Sequence, residues 1–355
     1  MKYLTLLVVA LVFIMSVRAS VLPDNFAHLP DDVQAVLLEY AFFSEQVSQQ
    51  WGEQASFSSQ KAYVKYLDDY LSRSRVDFES GIVRVETLAN SEPLKQLKSA
   101  IVTTLLTPND PNGVDIYSAS KVKGDGKPFL LGQVLDHQGQ AIAYEWRAKQ
   151  YADHLIATRL QTTETQQGKK FWVQMELVDD HNQVAANTVK HWVQTYSDRF
   201  NLPESLILGI IETESSFNPF AVSHANAYGL MQIIPSTAGR DVFEKVLNKT
   251  GQPSRQFLFN SQNNILVGSA YLKILRDRYL SKIEHPTSQL YCIISAYNSG
   301  AGNVFKTFAD SPRRAIYEIN QLSPEAVLWK LRKHQPSLEA RRYIEKVLAH
   351  QKKYS

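Results

Sequence analysis

The stretch that most constrains this chain is the apolar run Leu206 to Ile211, which follows Pro203 and Glu204 and delivers Glu212 and Glu214 at its far end. Proline and glutamate suit the first turn of a helix. A helical segment that is apolar on every side belongs inside a core rather than on a surface. Pro219 cannot continue the helix, and it pushes Asn218 out of the helical region. Glu214 is therefore expected at or near the C-terminal end of a buried helix. There the helix dipole and apolar surroundings both disfavour a negative charge and raise the carboxyl pKa. A carboxylic acid kept protonated near neutrality is what a general acid requires. A glutamate taken singly is more often a solvated helix-end residue, so the flanking pattern has to decide.

Length and composition set the frame. The 355 residues suffice for about two domains, and a 44% hydrophobic with a 21% charged share is ordinary for globular protein. A net charge of +3 is too mild to imply nucleic acid, but it suits an anionic polymer. Cys292 is the only cysteine, which excludes an intrachain disulfide. Its neighbours Tyr291, Ile293 and Ile294 mark it as a small buried hydrophobe. No histidine, cysteine or carboxylate spacing points to a metal, and no cofactor is implied.

At the N-terminus, Lys2 precedes an apolar segment from Leu4 to Met15, and Val17-Arg18-Ala19 fits a small-x-Ala cleavage site. The apolar run is short for a bilayer span. Residues 1–19 read as a cleaved signal peptide, with periplasmic localisation as the expectation.

Residues 26–100 read mainly as helical. Val33, Val36, Leu37 and Tyr40 recur at helical spacing, as do Tyr63, Tyr66, Leu67 and Tyr70, while residues 81–89 alternate as a strand does. A helix from Leu94 to Leu106 ends before Pro108, and a loop follows to Gly113. Residues 129–135 and 141–144 then read as a hairpin around Asp136 to Gln140, and residues 151–163 and 170–178 as further strands. His137 and His154 read as isolated surface or packing residues. From about Asn182 onwards the pattern is helical, including Asn263 to Tyr279, Leu290 to Tyr297 and Leu338 to Lys352. The fold class is thus α+β: an N-terminal α+β domain over residues 20–185 and an all-α domain over 186–355.

The order Glu214-Ser215-x-Phe217-Asn218-Pro219, Ala221, Ser223, Ala227 and Gly229-Leu230-Met231-Gln232 resembles the glutamate motif of the soluble lytic transglycosylases. Ala296-Tyr297-Asn298-x-Gly300 and Glu339-Ala340-Arg341-Arg342-Tyr343 continue the resemblance in the same order, and three ordered blocks far outweigh a lone motif. Thr237-Ala-Gly-Arg-Asp-Val-Phe and Pro253-Ser-Arg-x-Phe-Leu-Phe are similar to the membrane-bound lytic transglycosylase C branch. That branch also has an N-terminal extension of about this size. The resemblance is close over 185–355 and looser over 26–184.

The resemblance implies a goose-type lysozyme-like catalytic domain that cleaves peptidoglycan between N-acetylmuramic acid and N-acetylglucosamine. An ordinary glycosidase needs a second carboxylate as nucleophile or base. The family instead lets the muramic acid C6 hydroxyl close onto C1, giving a 1,6-anhydro sugar, with one glutamate as acid and then base. By the same carry-over Glu214 is the catalytic residue. Ser223, Gly229, Met231, Gln232, Tyr297, Asn298 and Tyr343 are the substrate-binding candidates, and the Tyr343 hydroxyl is expected on Glu214. Glycines at 229 and 300 also answer to backbone geometry, and Met231 equally to core packing. Membrane-bound relatives often carry a lipid-attachment cysteine after the signal. Ser20 stands where one is sought, so outer-membrane anchoring is in doubt.

The expected partner is the peptidoglycan glycan strand, with a monomeric protein and at most peripheral association with the outer membrane or cell-wall complexes. Two other readings stay open. A hydrolysing muramidase on the same fold would need a second carboxylate across the cleft. A non-catalytic peptidoglycan-binding protein would not need Glu214.

Overall fold

The computed structural model describes Leu22 and residues 26–28, 31–122, 126–223 and 225–355. The expected signal peptide lies outside the described residues. The N-terminal half runs α1 (Asp31–Trp51), β1 (Ala62–Leu67), β2 (Ser72–Asp77), β3 (Ile82–Thr87), α2 (Pro93–Leu106), α3 (Glu145–Arg159), β4 (Gln161–Thr165) and β5 (Gly168–Glu176). The strands form an antiparallel sheet in the order β1-β2-β3-β5-β4.

One face of the sheet carries an apolar row that crosses β1, β2, β3 and β5. Tyr63 opposes Val76, Val76 opposes Val83 and Val83 opposes Met175, and all four are buried in the main core with Leu97, Ile101 and Leu105 of α2. The other face of β1 carries Val64 and Tyr66, which pack with Phe43, Val47 and Trp51 of α1. Burial on both faces erases period-two alternation. That is why Tyr63, Tyr66, Leu67 and Tyr70 mimic a helical stripe. They belong to a strand and the turn after it, where Asp68, Asp69 and Tyr70 all adopt positive φ.

Three other expectations are corrected. Residues 151–159 are helical, because Ala148, Tyr151, Ala152 and Leu155 form a buried stripe at helical spacing on α3. Residues 129–144 form turns and isolated bridges instead of a strand hairpin. Asp136 organises them, its Oδ1 accepting from the backbone N–H groups of Gln138 and Gln140 at 2.9 Å each. His137 and His154 are not isolated, since their rings stack with centroids 4.2 Å apart.

The helical half follows without an intervening linker. Helix α4 (His181–Phe200) runs unbroken through residue 185 and leads by a short turn into α5 (Glu204–Ser215), the expected apolar helix. Next come α6 (Arg240–Lys245), α7 (Arg255–Phe259), α8 (Ser261–Ile274), α9 (Pro286–Ser299), α10 (Ala301–Phe308), α11 (Pro312–Asn320), α12 (Pro324–His334) and α13 (Leu338–Lys353).

Helix α5 is enclosed by α4 and α13. Gly209 lets α13 approach closely, because a Cβ there would stand 2.8 Å from the Gln351 backbone nitrogen. The two halves share one hydrophobic core. Phe220, after the Glu214 motif, packs against Tyr63 at 4.6 Å and Phe129 at 5.2 Å between ring centroids. Asn218 donates its amide to the Ser59 and Gln60 carbonyls at 3.3 and 3.2 Å.

Candidate active site

Glu214 is the second-last residue of α5, one turn beyond a wholly buried apolar segment. The helix stops because Ser216 and Phe217 take left-handed φ values of 49° and 60°, and Pro219 then forbids its resumption. Ser215, fully buried, ties this helix end to the next motif block by donating to the Leu230 carbonyl at 2.8 Å.

Glu214 faces a cleft of about 390 Å³ lined also by Lys61, Asn298, Glu339, Arg342 and Tyr343. The Tyr343 hydroxyl donates to Glu214 Oε1 at 2.7 Å. Burial pushes the Glu214 carboxyl up to about 7, the Tyr343 hydrogen bond pulls it partly back, and Glu339 raises it further. The C-terminal end of α5 acts in the raising direction too. Glu214 thus rests near the balance point between acid and base forms at neutral pH. Burial, and then the Glu214 charge, drive the Tyr343 and Tyr297 phenols well above their usual range. Both stay protonated donors.

Glu212 has a different job. Its buried carboxylate accepts from Lys353 Nζ at 2.6 Å and the Tyr354 hydroxyl at 2.8 Å, pinning the end of α13 to α5. Residues two apart on a helix face different ways, so only one of the two glutamates reaches the cleft.

Behind the cleft, residues 228–233 form a tight turn closed by reciprocal hydrogen bonds between Tyr228 and Ile233 at 3.1 Å. Gly229 has φ +73°, and a Cβ there would lie 2.4 Å from Asn264 Nδ2 and 2.6 Å from the Leu258 carbonyl. Only glycine fits. The buried Asn264 of α8 knits this turn together, accepting from the Met231 N–H at 2.8 Å and donating to the Tyr228 and Leu258 carbonyls at 2.7 Å each. Tyr297 donates to the Met231 carbonyl at 2.9 Å.

Of the sequence-derived candidates, Glu214, Asn298 and Tyr343 line the cleft, while Ser223, Gly229, Met231, Gln232 and Tyr297 are not among its lining residues. The Met231 side chain stands apart from the cleft lining. It is fully buried and its thioether packs on Gly268, so it belongs to the core beneath the turn. Gly229 likewise acts through the backbone shape of that turn. The Ser223 hydroxyl accepts from the Ala225 and Ala227 N–H groups at 3.2 and 3.1 Å, shaping its own loop. Gln232 donates Nε2 to the Gly229 carbonyl at 3.0 Å, and its Oε1 has no protein partner among the described residues. Asn298 donates to Glu339 Oε1 at 3.2 Å.

Sequence reasoning missed Asn264, Lys61 and Lys346, and it quoted Glu339 and Arg342 without a role. Asn264 had one legible signal, a polar residue on the stripe shared with Gly268 that faces the core. Among the described residues no group of three or more His, Cys, Asp or Glu is placed to hold a metal ion.

Residues 31–188 match the family described as membrane-bound lytic murein transglycosylase C, N-terminal domain, and residues 191–320 match the transglycosylase SLT domain. The chain is similar to a membrane-bound lytic murein transglycosylase C of Sodalis glossinidius, 42% identical over 355 residues, with 99% of each chain covered. It is similar in the same way to one of Yersinia enterocolitica, 41% identical over 355 residues with 99% of each covered. Among solved structures it is similar to the 70 kDa soluble lytic transglycosylase of Escherichia coli, at 26% identity and a TM-score of 0.37, covering 46% of this chain and 24% of that one.

Proposed function

The chain belongs to the membrane-bound lytic murein transglycosylase C family, and from that premise we propose that Glu214 alone performs both proton transfers of its reaction. The protein is a peptidoglycan lytic transglycosylase, cleaving the β-1,4 bond between N-acetylmuramic acid and N-acetylglucosamine with formation of 1,6-anhydromuramic acid ends. The observation that carries the single-glutamate reading is the Tyr343–Glu214 hydrogen bond at 2.7 Å on a carboxyl poised at about 7.

In the first step Glu214 gives its proton to the glycosidic oxygen, and the bond from that oxygen to muramic acid C1 breaks. The N-acetylglucosamine side leaves with a free hydroxyl. The substrate's own N-acetyl group stabilises the positive charge at C1. In the second step the C6 hydroxyl oxygen bonds to C1 and its proton passes to Glu214, which is restored. No water is consumed. A pKa near ambient pH serves both steps, since each form of the carboxyl is needed once per turnover. Tyr343 fixes the carboxyl geometry throughout. Asn298 offers its amide to sugar hydroxyl and acetamido groups, with Gln232, Tyr297 and the Ser223 and Gly229 loops supporting the site from behind.

Glu339 is the cleft's other carboxylate, and it gives the hydrolytic alternative its only foothold. Its hydrogen bond to Asn298 gives it a positioning role instead. The deciding experiment is mass analysis of muropeptides released from purified peptidoglycan by the wild type and by Glu214→Gln. Anhydro products from the wild type, and loss of turnover by at least about 10²-fold in the variant, are expected. Products one water heavier would overturn the mechanism, and near-wild-type turnover in the variant would overturn the role of Glu214.

The N-terminal sequence supports export to the periplasm through cleavage before Ser20, and among the described residues no helix is long and apolar enough to cross a membrane. We read the exported protein as a monomer with at most peripheral membrane association. N-terminal sequencing of the exported form should begin at or near Ser20, and an intact Met1 or a blocked terminus in the membrane fraction would refute this.

A further inference from the structure

The cleft also carries a set of cations, of which Lys61 draws the Glu214 carboxyl slightly down. Leu338, Arg342 and Lys346 sit at successive four-residue steps on α13, so they share one face of that helix, and all three line the cleft. All three are exposed. Arg342 and Lys346 form no ion pair among the described residues. The opposite wall comes from the other half of the chain. Gln60 and Lys61, immediately before β1, are held there by the Asn218 amide on the Ser59 and Gln60 carbonyls. Lys61 makes only a partly solvated ion pair with Glu79 at 3.3 Å.

Three cations therefore face a cleft in which Glu339, the carboxylate beside Glu214, accepts a hydrogen bond from Asn298. The reacting sugars are uncharged at the cleaved bond and its neighbouring hydroxyls, so the reaction itself does not call for this charge. The peptide stems borne on the muramic acid lactyl group carry free carboxylates.

We propose that Lys61, Arg342 and Lys346 form a carboxylate-binding wall for the peptide stem of the substrate, making this enzyme selective for peptide-substituted glycan. The Lys61 side of this wall gives the N-terminal half a place in substrate recognition. The inference rests on the reading of this cleft as the glycan-cleaving site. Arginine offers a planar fork for a carboxylate and lysine a mobile point charge, while Leu338 supplies an apolar patch for a stem methyl group.

The experiment compares kcat/KM on peptide-bearing glycan strands with that on the same strands stripped of stems by an amidase, for the wild type and for the Arg342→Gln/Lys346→Gln and Lys61→Gln variants. The ratio of the two kcat/KM values should fall roughly fivefold to tenfold in the double variant and less in Lys61→Gln, through KM rather than kcat. Arg342→Lys should keep most of the ratio, and raised salt should lower it in the wild type. Arg342 and Lys346 are exposed and Lys61 is half-buried in a partly solvated ion pair, so none of the three is part of the core and folding is not at stake. An unchanged ratio, including an equal loss on both substrates as expected if the wall binds the lactyl carboxylate of bare strands, would overturn the proposal. Product masses recorded in the same reactions test the transglycosylase mechanism separately, since hydrolytic products would refute that mechanism while leaving the ratio readable.

Discussion

Replacing Tyr343 by phenylalanine removes one hydroxyl, and the consequences can be worked out from the 2.7 Å bond it donates to Glu214 Oε1. A hydroxyl donating to a carboxylate stabilises the ionised form, so this bond holds the Glu214 pKa below the value that burial and Glu339 would otherwise set. A hydrogen bond to a charged group contributes about 1.5–3 kcal/mol. Because about 1.4 kcal/mol corresponds to one pH unit, losing it should raise the carboxyl pKa by roughly one to two pH units. The acid step needs protonated Glu214, so wild-type kcat/KM should fall as pH rises through about 7. In Tyr343→Phe that alkaline limb should move upward by roughly one to two pH units. The plateau below the limb should drop as well, because the carboxyl has lost the group that orients it. The assay is the pH dependence of peptidoglycan solubilisation at low substrate. A lowered plateau with an unmoved alkaline limb would refute the electrostatic account and leave Tyr343 with a packing role alone.

Gly229→Ala should cost roughly 2–4 kcal/mol of stability. The φ of +73° is strained for alanine and its Cβ would enter the space of Asn264 and the Leu258 carbonyl; an unchanged thermal midpoint would contradict this. Glu212→Gln should keep turnover within a few-fold of wild type while lowering stability by about 1 kcal/mol, because glutamine can still accept from Tyr354 and Lys353 and the latter is half-exposed. Denaturant unfolding alongside the activity assay checks it, and a loss of turnover comparable to that of Glu214→Gln would show that Glu212 takes part in the chemistry.

The catalytic end of the chain was legible because its signals are local. An apolar helix ended by Pro219, with Glu214 on its last turn, states burial, termination and a raised carboxyl pKa within a dozen residues. Gly229 was legible as a backbone position for the same reason, since a positive φ is a property of one residue. The N-terminal sheet was harder. β1 is covered on both faces, so its residues lose the alternation that marks a half-buried strand, and the stripe on α3 reads as strand or helix alike because a short apolar pattern fits either period.

What only the tertiary structure decided are the meetings between distant segments. Asn264 stitches the 228–233 turn from α8, Lys61 crosses from the N-terminal half to face Arg342 and Lys346, and Lys353 and Tyr354 claim Glu212 and leave Glu214 to the cleft. The family resemblance led to an expectation of the Tyr343–Glu214 contact, but its length and its pull on the carboxyl depend on how α13 lies along α5. Local sequence determines what a segment prefers to be and which residues carry a charge or a proton. Which of those residues come within 3 Å of one another depends on packing over the whole core, and the sequence of neither partner contains it.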